Sequence, residues 1–131
     1  MRTDKLISIA RPIAIAILLL GIIHDIATFS PFIQDGLRCV SIGTFDAMTY
    51  MSLICGLFFV LSGLLLVMLL GRVKQHQFLI SPILTISIFT LINGLLAVFY
   101  MFDNPFAWAG LFFSLSIFCM TLAIKKSIKN R

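Results

Sequence analysis

The sequence predicts an all-α polytopic membrane protein, an up-down bundle of four transmembrane helices with a short amphipathic helix in the first outer loop. Three observations predict it. Hydrophobic residues fill 60% of the 131 positions and charged residues only 11%, where a soluble domain carries roughly 25% charged residues. Four apolar runs are each long enough to cross a hydrocarbon core of about 30 Å, which takes ~20 helical residues. The basic residues lie in short flanks between those runs, apart from Arg38.

The first run spans residues 7–29, with Arg11 and Pro12 in its first turns. Basic residues precede it, as in a signal peptide. It is long, however, and no A-x-A cleavage site follows it, so an uncleaved signal-anchor is expected. The second run covers 47–71, the third 78–102 and the fourth 106–124. None has a charge in its central part. The second and third are long enough to require tilt or to extend past the lipid. The whole chain reads as one domain.

The connections differ in length. Residues 30–46 form the longest; 72–77 are short and basic; Asp103-Asn104-Pro105 is a tight turn. In the long loop, Ser30 is placed to cap a helix that has Pro31 at its first position. Phe32, Ile33, Leu37 and Val40 would share one side of it, with Gln34, Asp35 and Arg38 on the other. Such a segment lies in the interface or folds over the bundle mouth. Asp46 or Thr44 is expected to cap the second transmembrane helix.

Lys/Arg bias sets orientation. With the N-terminus inside, Arg2, Lys5, Arg11, Arg72, Lys74, Lys125, Lys126, Lys129 and Arg131 are cytoplasmic and only Arg38 is outside. The C-terminus is then cytoplasmic too. The net charge of +5 is therefore spread by topology. It does not form the single basic face of a nucleic-acid binder, so no nucleic-acid partner is expected. The bilayer is the first partner; a second copy or another membrane protein is the other.

Lipid offers no hydrophobic force between helices, so close packing relies on small residues. Each run carries a stripe at alternating spacings of three and four. The stripes are Ala10, Ala14, Ile17, Gly21, His24 and Thr28; Thr49, Ser52, Gly56, Phe59 and Gly63; Ser87, Thr90, Gly94 and Ala97; Ala107, Gly110, Ser114, Ile117 and Thr121. These read as helix-packing seams and argue against a wide pore. Short connections predict that neighbours in sequence pack together.

Polar groups inside membrane helices are costly and mark candidate sites. His24 sits on the first stripe, about 8 Å inside the outer end of its helix at 1.5 Å rise per residue. Asp25 adjoins it. Thr28, Tyr50 and, further out, Tyr100 complete a candidate outward-facing polar pocket, and Asn93 lies near the middle of the third run. His24 can bind a quinone oxygen, relay protons with Asp25, or simply bond a neighbouring helix. Haem is disfavoured, because such bundles use two strong axial ligands and His76 lies in the opposite loop. Asn93 must find a partner, and a Ser or Thr on another helix is expected.

Other chemistry lacks its residues. The first run has no central carboxylate of the kind that proton-coupled small multidrug exporters use. Cys39, Cys55 and Cys119 show neither paired nor metal-ligand spacing. No Gly-rich loop cradles phosphate. No cofactor or metal is expected.

Gly21-x-x-His24, Pro31, Asp35-Gly36-Leu37, Phe45 with Ala47 and Tyr50, Gly56, Gly63 and Asn104-Pro105-Phe106-x-Trp108 together cover roughly residues 15 to 120. In this arrangement the chain resembles a family of small, uncharacterised bacterial four-helix integral membrane proteins. Tyr50 departs from the pattern, which has another bulky aromatic there. The resemblance implies a bacterial inner membrane and directs attention to His24 and the Asp35-Gly36 loop; it implies no activity. The leading functional expectation is a non-enzymatic protein that binds a lipid-like molecule or a partner helix at the outward pocket. The alternatives are a small dimeric transporter or channel, and a quinone- or isoprenoid-linked enzyme using His24 and Asp25.

Overall fold

A computed structural model describes residues 2–36 and 39–130. Five helices follow in order: α1 Arg2–Thr28, α2 Pro31–Gly36, α3 Ile42–Arg72, α4 Ile80–Tyr100 and α5 Pro105–Lys129, with a 3-10 turn over Gln77–Leu79 before α4. α1, α3, α4 and α5 are long and apolar enough to cross a membrane. The chain is an all-α four-helix membrane bundle. One end carries the helix termini near residues 2 and 129 and the α3–α4 connection, and is basic. The far end carries α2 and the turn between α4 and α5.

α3 and α5 run past their predicted bounds at both ends and α1 at its start, where polar residues continue the helix beyond the apolar run, whereas α4 is shorter than the predicted 78–102. α3 begins at Ile42 because Ser41, not Thr44 or Asp46, caps it: Ser41 Oγ accepts from the Thr44 amide at 3.3 Å and shares a 2.8 Å bond with the Thr44 hydroxyl. Asn104 caps α5, accepting from the Phe106 amide at 2.9 Å, and Pro105 takes the first turn, where a missing N–H costs nothing. At its other end α5 continues through Lys126 to Lys129, cations that suit the negative end of a helix dipole.

In space the order is α3, α1, α5, α4. α1 packs extensively on α3 and well on α5, and α5 packs on α4; α3 and α4 barely meet. Sequence neighbours therefore pair in two of three cases, and α3–α4 departs from the expected up-down packing. The reason lies in the faces. Gly56, Phe59, Ser62 and Gly63 of α3 are buried, and Gly56 and Gly63 lie against α1. Ser87, Thr90 and Gly94 of α4 are buried, and Gly94 and Ser87 meet α5. Neither helix keeps a small-residue stripe for the other.

Glycine sets the α1–α3 distance. A Cβ on Gly21 would lie 2.6 Å from the Gly56 carbonyl oxygen and 2.7 Å from the Val60 nitrogen; one on Gly63 would lie 2.5 Å from the Leu18 nitrogen. Both meet backbone, which cannot move aside as a flexible side chain can. The α4–α5 seam is looser, with the corresponding position on Gly94 at 3.0 Å from Leu111 Cα. Toward the basic end the centre fills with larger side chains, among them Ile17, Leu66, Leu70, Ile83, Ile117 and Ile124. Hydroxyls join helices there too: Thr3 to Ser127 at 2.7 Å and Ser87 to Thr121 at 3.0 Å. Outward faces carry Leu19, Ile23, Leu57, Leu61, Phe89 and Leu96, exposed as lipid-facing residues should be.

α2 is shorter than the predicted amphipathic segment, and Leu37 and Arg38 lie outside the described residues. Gln34, expected on the polar side with Asp35, turns back and donates from Nε2 to the Thr28 carbonyl at 2.7 Å, while Ile33 is exposed. The last carbonyls of a helix have no partner within it; Gln34 supplies a donor to one of them and ties α2 to the end of α1.

Candidate functional site

The far third of the bundle concentrates the polar side chains. α1 places His24 and Thr28 one turn apart on its α3-facing stripe, and α3 brings Ser52 between them. His24 Nε2 lies 3.2 Å from Ser52 Oγ, and Ser52 Oγ lies 2.7 Å from Thr28 Oγ1. Thr28 also donates to the His24 carbonyl at 3.0 Å. With Gln34 this makes one hydrogen-bonded chain through α1, α3 and α2. The Phe106 ring covers the imidazole at 5.9 Å between centroids.

His24 borders a small, partly open cavity with Leu20, Cys55, Phe59, Ala107 and Gly110. Its volume is about 20 Å³, which accommodates one water and no more. The interior beside His24 is therefore closed to a lipid-sized molecule in this conformation. The chain from His24 to Thr28 has the geometry of a helix clasp.

Asp25 faces a different neighbour. Its carboxylate lies over Gly56, in the space a side chain there would take. Asp25 Oδ1 is buried without a hydrogen-bond donor, and so is the Thr49 hydroxyl on α3. Such orphaned groups forgo roughly 1–3 kcal/mol each relative to a satisfied state. The missing side chain of Gly56 thus makes room for a carboxylate, while the missing side chain of Gly21 lets α1 approach the Gly56 carbonyl.

Asn93 of α4 donates from Nδ2 to Cys55 Sγ of α3 at 3.7 Å. The interhelical bond expected for it exists, but with a thiol in place of a Ser or Thr hydroxyl. Sulfur is a weak acceptor. Among the described residues no hydrogen bond reaches the amide oxygen of Asn93. Asn93 forms part of an open groove of about 330 Å³ between α3 and α4, walled by Tyr50, Met51, Ile54, Cys55 and Phe58.

Tyr50 lies on that groove and is 66% exposed. Tyr100 is 77% exposed and stacks edge-on against Phe99 at 5.1 Å. Trp108 donates to the Phe102 carbonyl at 2.8 Å and stacks on the Phe102 ring. The six candidate residues therefore fall into four places. His24 and Thr28 join in the clasp; Asp25 packs on Gly56; Asn93 and Tyr50 share the groove. Tyr100 stands apart, at the end of α4, with the exposure of an interface anchor.

Three participants were not among the sequence candidates. Ser52 completes the clasp, and its place on the small-residue stripe was the available signal. Cys55 bridges to Asn93, and Gln34 caps α1; neither role has a local signature, since both depend on how helices cross. Among the described residues no three His, Cys, Asp or Glu side chains gather in metal-binding proximity. Comparison with family models, with curated proteins and with solved structures finds no match to this chain.

Proposed function

We propose that this chain is a non-enzymatic protein of a bacterial inner membrane, with both termini cytoplasmic, and that it holds a lipid-like molecule in the α3–α4 groove. The basic end supports the orientation: Lys5, Arg72, Lys74, Lys125, Lys126 and Lys129 gather there, while Asp35, Asp46 and Asp103 lie toward the other end. The groove then opens laterally in the outer half of the bilayer.

The observation that carries the reading is Asn93. An amide in the apolar zone must be satisfied, yet its protein partner is a thiol and its oxygen has none among the described residues. It lies seven residues before Tyr100, about 10 Å along the helix axis. A molecule with an apolar chain and a hydroxyl satisfies that oxygen and lies along Met51, Ile54 and Phe58. The Tyr50 phenol offers a second polar group nearer the surface. A partner helix with one polar side chain is the competing occupant. The His24 clasp then serves to fix α3, one wall of the groove, against α1.

Native mass spectrometry of the gently purified protein tests this reading. The expected result is an added small mass on the wild type that Ile54→Trp abolishes by filling the groove, while His24→Ala leaves it in place. An added mass lost in His24→Ala but kept in Ile54→Trp would return the site to the bundle interior. A wild type with no added mass, forming a dimer that Ile54→Trp dissociates, would replace the small molecule by a second copy and bring dimeric transport forward.

A further inference from the structure

A second groove, of about 520 Å³, opens between α1 and α3 at the basic end. It lies at the opposite end of the bundle from Asn93 and shares no lining residue with the α3–α4 groove. Arg11 and Lys74 supply cations to its rim, with Asp4 and the Ser8 hydroxyl beside them. Ile15 and Leu70 line its apolar side.

The charges do not cancel. Lys74 is ion-paired with Asp4. Among the described residues no ion pair or hydrogen bond engages Arg11, and its side chain is exposed. Arg11 also sits at a defined depth. Its guanidinium lies beside Gly71, where an added Cβ would come within 3.3 Å, one residue before α3 ends. This is the level at which the apolar segments give way to the basic connection, and so the level of lipid phosphates. Pro12 adds a polar acceptor: it lacks the N–H that would close the helical bond to the Ser8 carbonyl, which leaves that oxygen available to a hydroxyl donor. Cation, carbonyl acceptor and apolar wall lie together in one groove. Basic clefts between transmembrane helices on the cytoplasmic side are the setting in which acidic headgroups bind.

We propose that this groove is a binding site for an anionic phospholipid with a hydroxylated headgroup, of the phosphatidylglycerol class. The phosphate pairs with Arg11, a headgroup hydroxyl donates to the Ser8 carbonyl, and an acyl chain descends along Ile15 and Leu70. Gly71 keeps the entrance clear.

The test titrates the full chain, purified in neutral detergent, with phosphatidylglycerol or phosphatidylcholine and reads bound lipid by native mass spectrometry. One phosphatidylglycerol is expected to persist at collision energies that strip phosphatidylcholine. Arg11→Gln should lower its retention about fivefold, the worth of one cation at a lipid surface, and Arg11→Lys should restore most of it. Lys129→Gln, outside the groove, should match the wild type. Excess inorganic phosphate should leave the lipid bound. Equal retention of the two lipids by the wild type overturns the proposal, as does equal retention by Arg11→Gln and Lys129→Gln. Displacement by inorganic phosphate would assign the groove to small anions instead and overturn the lipid.

Discussion

The α1–α3 and α3–α4 seams share a helix and differ in nearly everything else. Across α1–α3, Gly21 and Gly63 bring backbone against backbone and the His24–Ser52–Thr28 clasp locks the far end. Across α3–α4, Tyr50, Ile54 and Phe58 stand between the helices, and one weak N–H···S bond spans them. Both pairs are consecutive spans in sequence, and the α3–α4 connection is the shorter. Proximity along the chain therefore does not decide which helices pack. In lipid, apolar bulk gains little from leaving one apolar environment for another. Small residues gain contact area that no lipid tail provides, so the seam forms where both faces are small.

The largest effect that can break this contrast comes from added bulk. Gly21→Val should destabilise the bundle by about 2–3 kcal/mol, because overpacking against backbone is not relieved by rotamer changes. Ile54→Phe, at a side chain 49% exposed on the other seam, should change stability by less than about 0.5 kcal/mol. Reversible unfolding in mixed micelles compares the two. Equal costs would mean that α3–α4 closes in the membrane.

Next comes the clasp. A double-mutant cycle on His24→Ala and Ser52→Ala should give a coupling of about 0.6 kcal/mol, the usual worth of an interhelical hydrogen bond in a bundle of this kind. No coupling would leave the glycines alone responsible for the seam. The smallest effect should come from Asn93→Leu. It removes a weak bond and an unsatisfied amide oxygen together, so unfolding should shift by about 0–0.5 kcal/mol in either direction. The same variant should lose any small molecule that co-purifies with the wild type. A large loss of stability would make Asn93 a structural tie and not a ligand contact.

The packing stripes were legible because a buried face in lipid must be small and must recur at helical spacing. Ala10, Ala14, Ile17 and Gly21 of α1 and the whole stripe from Ala107 to Thr121 of α5 are buried. The candidate site was legible only in part. His24 and Thr28 share a stripe, so their meeting followed from periodicity. Tyr50 and Asn93 line one groove because α3 and α4 fail to close, which no spacing within either helix reveals. The bond from Gln34 to α1 was not legible, because a helix of six residues has too little periodicity to orient it and the carbonyl it reaches belongs to another helix.

The sequence by itself determined that four helices span the bilayer, which end is basic and which faces are small, because hydropathy, charge and periodicity are local properties of each segment. The tertiary structure decided the partners: that α3 spends its small face on α1, that α4 spends its own on α5, and that the remaining α3–α4 seam stays open around Asn93. α3 and α4 each have one small face and two spanning neighbours in sequence. The choice between them rests on how closely two backbones can approach, a property of the pair that neither segment carries alone.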